Sequence, residues 1–518
     1  MDTFWHDILS YLKQQFGSID PSLLLHELAY SEKSPLIFSS GLFMFMFAIF
    51  IVIYTLLIKK SLARTLFVVA FSYYFYYKSS GFYFFLIAIV TCSDYIIGEC
   101  LSMTRRRWLR KLLVAISLAV DLGLLGYFKY TNFFGQMWAE LSGNAWHNLD
   151  IFLPVGISFF TFQSLSYIID VYRRKIKPVD NLLDYAFYVS FFPQLVAGPI
   201  VRASDFLPQM YKPVCVTRQM LGLGFWFVLI GLFKKAVISD YISINFVERV
   251  FENPIQFSGI ENLLGAYGYG LQIYCDFSGY SDMAIGLAML MGFRFNINFN
   301  NPYKAVSVTD FWRRWHISLS TWLRDYLYIS LGGNRKGKVR QYINILITML
   351  LGGLWHGASL NFIFWGGLHG LALVVHKMWM SITRGIGFIN SRWWNILMTI
   401  VTFHFVIFAW MIFRNADITW DGLFHQGNWG NLGIMLSQIF TSLHPELILD
   451  VIGNYWQVFA LIALGYALHF VPDKFSQACR RAFVKMPAIF YAIALVILIV
   501  IIIQVKTSEI QPFIYFQF

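Results

Sequence analysis

Long apolar runs alternate with short polar breaks along most of this 518-residue chain. Five runs are almost free of charge and of spanning length: 36–58, 82–98, 112–128, 393–413 and 487–503. Each approaches the roughly 20 residues with which a helix crosses about 30 Å of hydrocarbon. Weaker runs lie at 65–77, 151–169, 183–198, 221–238, 263–291, 343–355, 362–375 and 458–471. The pattern predicts an all-α polytopic membrane protein with about 11 transmembrane helices, plus re-entrant and interfacial pieces. Ahead of the first run, Phe4, Trp5, Ile8, Leu9, Leu12 and Phe16 share one helical face. That spacing predicts an interfacial helix lying on the outer leaflet. Asp2, Asp7, Asp20, Glu27 and Glu32 populate the same stretch, which lacks the basic start and small-residue cleavage site of a signal peptide.

Composition agrees with the pattern. Apolar residues make up 58% of the chain and charged ones only 13%, about half the charge of a soluble domain, and the mean hydropathy is +0.58. A net charge of +12 raises the question of nucleic acid, but the placement of the cations answers it. Lys59, Lys60 and Arg64 form one cluster, and Arg105, Arg106, Arg107, Arg110 and Lys111 a second. Arg173, Arg174, Lys175 and Lys177 form a third, Arg335, Lys336, Lys338 and Arg340 a fourth, and Lys474, Arg480, Arg481 and Lys485 a fifth. Between them, 130–150 and 415–473 carry no Lys or Arg. Such alternation follows the positive-inside rule, places the clusters in the cytoplasm and puts 415–456 and both termini outside. The expected partners are membrane lipids, anionic ones at the basic face, and not nucleic acid. The five cysteines show no metal-ligand spacing and read as packing residues.

Polar residues at membrane depth are costly, so their concentration is informative. Most of them fall in 267–370. Asp276 and Asp282, six apart, do not share a helical face and suit ion pairs or helix ends better than acid–base work. From Asp310 to Asp325 the residues Phe311, Trp315, Leu319, Trp322 and Leu323 recur at helical spacing, with Asp310 and Arg314 placed as an i,i+4 pair. This predicts a helix at the interface or beside a wet cavity. His356 stands in GGLWHG, where glycines let another chain approach the imidazole. By itself such a histidine suits either packing or a general base. His369 and His376 lie on nearly one face without polar neighbours in sequence, and read as packing residues.

Several strings resemble the bacterial membrane-bound O-acyltransferases (MBOAT), in the branch of alginate O-acetyltransferases and D-alanyl transferases of lipoteichoic acid. They are LPVGISFFTFQSLSYIIDVYR (153–173), DYAFYVSFFPQLVAGPIVRASDFLPQ (184–209) and LQIYCDFSGYSDMAIGLAMLMGF (271–293). NFNNPYKAVSVTDFWRRWHISLSTWLRDYLYISLGGNRKG (298–337) and LLGGLWHGASLNFIFWGGLHG (350–370) continue them, with weaker echoes in DYIIG at Asp94, KYTNFF at Lys129 and WMIFR at Trp410. Members often carry YIPLGG where this chain has YISLGG at 328–333.

The resemblance implies a fold of transmembrane, re-entrant and interfacial helices around a central tunnel. Its core would be 36–415, with the catalytic region at 267–370, flanked by an N-terminal extension at 1–35 and an outside loop and C-terminal helices at 416–518. It also implies an O-acyltransferase of the bacterial inner membrane, moving an acyl group, foremost acetyl, from a cytoplasmic thioester to an extracytoplasmic acceptor for cell-surface polysaccharide O-acetylation. D-alanyl or other acyl transfer to an envelope polymer or lipid is the alternative. The family's catalytic histidines match His356 in WHG and His316 in RRWHIS. Asp310, Trp312, Arg313, Arg314, Trp355, Arg335 and Lys336 are the candidate substrate- and donor-binding residues. No metal and no permanently bound cofactor is expected; the donor would be acetyl-coenzyme A or an acyl carrier protein thioester. An extracytoplasmic acyltransferase acting in relay is the expected protein partner. A transporter or flippase, the rival class, would show internal pseudo-repeats, and the polar-rich region occurs once.

The charge pattern makes a direct prediction. Cysteines engineered at 105–111, 173–177 or 335–340 in a cysteine-free background should resist an impermeant reagent in intact cells, whereas those in 415–456 should react. Labelling in 335–340 without labelling in 415–456 reverses the topology.

Overall fold

Apolar runs become helices here because lipid offers backbone groups no other partner. A computed structural model describes residues 27–31, 35–383, 385–386, 391–415, 418, 427 and 429–505. The principal helices are α1 (Gly41–Leu57), α2 (Ser61–Ser80), α3 (Phe84–Met103), α4 (Arg107–Leu125), α5 (Ile157–Tyr172), α6 (Arg218–Leu232) and α7 (Gly259–Leu290). They continue with α8 (Val308–Arg314), α9 (Ile317–Trp322), α10 (Lys338–His356), α11 (Leu360–Ile382), α12 (Arg392–Arg414), α13 (Trp456–Phe470), α14 (Asp473–Lys485) and α15 (Ala488–Val505). No strand occurs among the described residues. Hydroxyl side chains start several helices by accepting from otherwise unpaired N–H groups: Ser40 for α1, Thr217 for α6 and Ser391 for α12. Ser258 and Glu261 form a reciprocal capping box at α7.

Helical stretches long and apolar enough to cross a membrane are Ser61–Met103, Arg107–Ser142, Arg218–Glu252 and Arg392–Arg414. Gly430–Thr441 with Pro445–Asn454, and α13 with α14, also qualify as pairs, bent by 94° and 95°. Among the described residues hydropathy thus marks four spans, or up to six with the bent pairs, against the 11 or so anticipated for the chain. Part of the difference is length, since the apolar helices α1 and α15 are short and the runs at 65–77 and 82–98 share the stretch Ser61–Met103; α7 has spanning length but is mostly buried in protein, where its polar side chains find partners. The interfacial helix expected at Phe4–Phe16 lies outside the described residues, as does most of 416–428. Of the cysteines read as packing residues only Cys275 is buried; Cys92, Cys215 and Cys479 are exposed, on outward faces of helices or in a loop.

Most of the 32 residues of α7 are buried, and the bundle packs around it. Gly224 and Gly231 on α6 meet Gly286 and Gly279 on α7, so closely that a Cβ on Gly231 would stand 2.5 Å from the Gly279 carbonyl oxygen. The same interface carries charge. Lys234 Nζ lies 2.7 Å from Asp282, and Lys235 Nζ lies 2.6 Å from Asp276 and 2.7 Å from Asp240. The two α7 carboxylates therefore sit in separate ion pairs, with lysines of the next helix. Consecutive lysines both reach α7 because Phe233–Ser239 is wound as a π-helix, which changes the angular step between neighbours.

A second glycine contact joins α10 to α11. A Cβ on Gly353 would collide with the carbonyl of Phe362, and one on Gly366 with the carbonyl of Met349. Close backbone approach of this kind holds helices together where lipid supplies no hydrophobic drive. Gly353→Ala or Gly366→Ala should cost about 1–3 kcal/mol through overpacking and lower the thermal midpoint of the detergent-purified protein. Gly123→Ala, whose Cβ meets nothing within 4 Å, should leave the midpoint unchanged. Equal midpoints for all three proteins would discard the packing argument.

Candidate active site

α10 ends abruptly at His356, because Gly357 is extended (φ −162°, ψ 159°) and the chain turns into α11. The last carbonyls of such a helix need donors from elsewhere. They come from the π-helical turn Gly126–Tyr130 after α4. Tyr130 Oη donates to Leu354 O at 2.8 Å, and Lys129 Nζ donates to Trp355 O at 2.9 Å and to His356 O at 2.8 Å. The buried His356 ring meets Trp355, Trp365 and Phe413 edge-on, with centroids 5.1, 5.1 and 5.4 Å away. His356 also lines a small cavity of ≈ 50 Å³ with Lys129, Leu153–Phe159, Val196 and Trp355.

His316 also packs against Trp355. Its segment is not the continuous helix its spacing predicts. α8 stops at Arg314, His316 takes a left-handed conformation (φ 43°, ψ 56°), and α9 starts at Ile317. That conformation is uncommon outside glycine and asparagine and needs surrounding structure to hold it. Asn298 supplies much of this support. Its backbone carbonyl accepts from Ile317 N–H at 2.9 Å, and its side-chain oxygen accepts from Ser318 N–H at 3.1 Å and Ser318 Oγ at 2.9 Å. The same oxygen lies 3.2 Å from His316 Nδ1, and the amide nitrogen donates to Ser281 of α7. The His316 ring is fully buried, 6.0 Å from Trp355 and 4.6 Å from Phe277, and its Nε2 has no hydrogen-bond partner among the described residues. Trp355 thus touches both imidazoles and is anchored by Nε1 donating to Ser158 O at 3.3 Å.

A second, much larger cavity of ≈ 940 Å³ opens where α10 begins. Its walls include Asp310, Arg313, Lys338, His376 and Lys377, giving it a basic rim. Trp312 leads inward, its ring 5.6 Å from Trp365 and 5.2 Å from His369. Arg314 pairs with Asp310 at 3.0 Å, as the i,i+4 spacing predicted, and does not touch His316. Arg335 and Lys336 are exposed in the loop before α10.

Several residues of this region carry more than the sequence reading gave them. His369, read as packing, is fully buried against Phe311, Trp312, Trp365 and Phe405, and neither ring nitrogen has a partner among the described residues. His376, read the same way, shares a 2.8 Å hydrogen bond with Thr309 on the wall of the large cavity. Asn298 offered no signal beyond its place in the NFNNPY string, because its partners come from α7 and from the His316 turn. Lys129 was visible as the last cation before a long cation-free stretch, but its carbonyl partners lie more than 220 residues away.

The model of the MBOAT, membrane-bound O-acyltransferase, family matches residues 173–416. The chain is 42% identical to the probable alginate O-acetylase AlgI of Pseudomonas aeruginosa over 76% of each chain. It is 38% identical to the peptidoglycan O-acetyltransferase of Helicobacter pylori, over 63% of this chain and 66% of that protein. It is 31% identical to the teichoic acid D-alanyltransferase of Bacillus subtilis, over 52% of this chain and 69% of that one. With that likeness running through the stretches that carry both histidines, the chain belongs to the membrane-bound O-acyltransferase family and is a membrane O-acyltransferase.

Proposed function

We propose that this enzyme carries an acetyl group from a cytoplasmic thioester to a hydroxyl on an extracytoplasmic acceptor, for O-acetylation of a cell-surface polysaccharide. One observation carries the reading: α10 begins at a large basic cavity and ends at a small one beside His356. A 19-residue helix is about 28 Å long, close to the hydrocarbon thickness, so the cavities sit near opposite faces. Arg313, Lys338 and Lys377 suit the anionic head of a coenzyme A or carrier-protein donor, while the thioester arm reaches inward along Trp312 and Trp365. The protein lies in the bacterial inner membrane with the large cavity facing the cytoplasm, and an extracytoplasmic acyltransferase completes the relay. Acetyl is favoured over D-alanyl because the relatives matched over more of this chain are named as O-acetylating enzymes.

In this mechanism His356 takes the acceptor hydroxyl proton as the oxygen attacks the thioester carbon, then returns it to the departing thiolate. His316, held by Asn298, places its Nε2 toward the shared aromatic wall and orients the carbonyl. His356→Ala should lower acyl transfer by about 10²–10⁴-fold, the usual contribution of a positioned base, with the protein still folded and inserted. His316→Ala should lose less, and the double variant should fall short of the product of the two losses. The exposed His404 on α12 provides the control, and its alanine variant should retain activity. The measurement is acetate released by mild alkali from cell-surface polysaccharide; full acetylation in the His356→Ala strain sinks the assignment.

A further inference from the structure

Lys129 is a cation in an expensive place. It belongs to the apolar helical stretch Arg107–Ser142 and lines the small cavity with His356. No carboxylate lies within ion-pair distance of it among the described residues. An ionisable side chain within a membrane span calls for a functional explanation by default. Capping α10 does not supply one, because capping needs only neutral donors, and Tyr130 performs it next door with a hydroxyl. An ammonium has three N–H groups. Two of those on Lys129 go to Trp355 O and His356 O, which leaves the third for whatever reacts in the cavity.

We propose that Lys129 is a catalytic residue whose third N–H holds the oxyanion formed during acyl transfer, a role that rests on the functional reading above. The acceptor oxygen bonds to the thioester carbon while its proton passes to His356, and the carbonyl electron pair moves onto oxygen. Lys129 stabilises that oxyanion through a charge-assisted hydrogen bond. The pair then returns, the C–S bond breaks, and the thiolate takes the proton from His356 to leave as a thiol. Lys129 keeps its charge throughout. By binding the His356 carbonyl as well, it also fixes the base and the oxyanion site to one another.

The experiment uses the full chain in inverted membrane vesicles, with acetyl-coenzyme A as donor probe and free thiol release as the readout. Lys129→Gln retains two neutral N–H donors for the helix end and removes the charge. It should lower kcat by about 100-fold or more, the effect of deleting an oxyanion donor, with the donor KM within about threefold of wild type. Tyr130→Phe removes a neutral cap from the same helix end and so reports what loosening that end costs; its loss in kcat should be at least about tenfold smaller than that of Lys129→Gln. In a background where the native cysteines are serine, Lys129→Cys should recover at least about tenfold on aminoethylation, which restores the cation, but not on methylthiolation, which adds a neutral group. The inference is overturned if Lys129→Gln keeps its kcat, if Tyr130→Phe falls as far, or if the neutral adduct rescues equally. Should the wild type release no thiol, the functional reading falls and this role falls with it.

Discussion

A helix that ends buried within the protein leaves its final carbonyls without water, and the candidate site of this protein is built on the way that deficit is met. α10 delivers His356 at its last residue, and Lys129 and Tyr130 take the carbonyls of Leu354, Trp355 and His356. These three contacts fix the end of α10 to the turn after α4, and so fix the position of the imidazole. Trp355, one residue earlier, is held by Ser158 and packs against Phe159 and Phe162 of α5. His356, its aromatic neighbour and the small cavity are thus set by a single helix terminus. Without those donors the α10 end would carry unpaired carbonyls in a medium where each costs several kcal/mol.

The surrounding bundle keeps that terminus rigid by two means suited to lipid. Glycines bring α10 against α11, and α6 against α7, to backbone contact. Ion pairs between α6 and α7 then neutralise Asp276 and Asp282 with two consecutive lysines. Breaking one partner of such a pair leaves a lone buried charge, so the pairs specify how α6 and α7 meet even where their net contribution to stability is small. α7 in turn holds Asn298 through Ser281, and Asn298 holds the left-handed turn at His316. The two histidines therefore rest on separate supports, α10 with the 126–130 turn for His356, and α7 with Asn298 for His316.

Between the large cavity and His356 lies a wall of aromatic rings with a few polar atoms set into it. The indole nitrogens of Trp312 and Trp365 and both nitrogens of His369 are buried without partners among the described residues. Most buried polar atoms in proteins are paired, and these four, on α8 and α11, are exceptions among the described residues. Trp365 meets both His369 and His356, which makes α11 the element that connects the two ends of the site.

Much of this was legible in the chain. Apolar runs marked the outer helices, since a lipid-facing helix has no choice but to be apolar, and 393–413 falls within one residue of α12. Charge clusters marked the ends of apolar runs, although the last of them, Lys474 to Lys485, lies within the helix α14, and the strings around RRWHIS and WHG marked the family. The runs at 263–291, 343–355 and 362–375 fall on α7, α10 and α11, but their glycines and polar residues weakened the signal. Periodicity failed at His316, where a helical pattern is interrupted by a turn that Asn298 holds from outside the segment. Local sequence gave no account of Lys129, Asn298 or His369, because their meaning lies in partners or neighbours from other helices. The sequence by itself determined that this is a helical membrane protein of the O-acyltransferase family. Only the tertiary structure decided that α10 stops beside a cavity with a lysine on its last carbonyls, since the partners of a helix end are chosen by packing between segments, which local spacing does not encode.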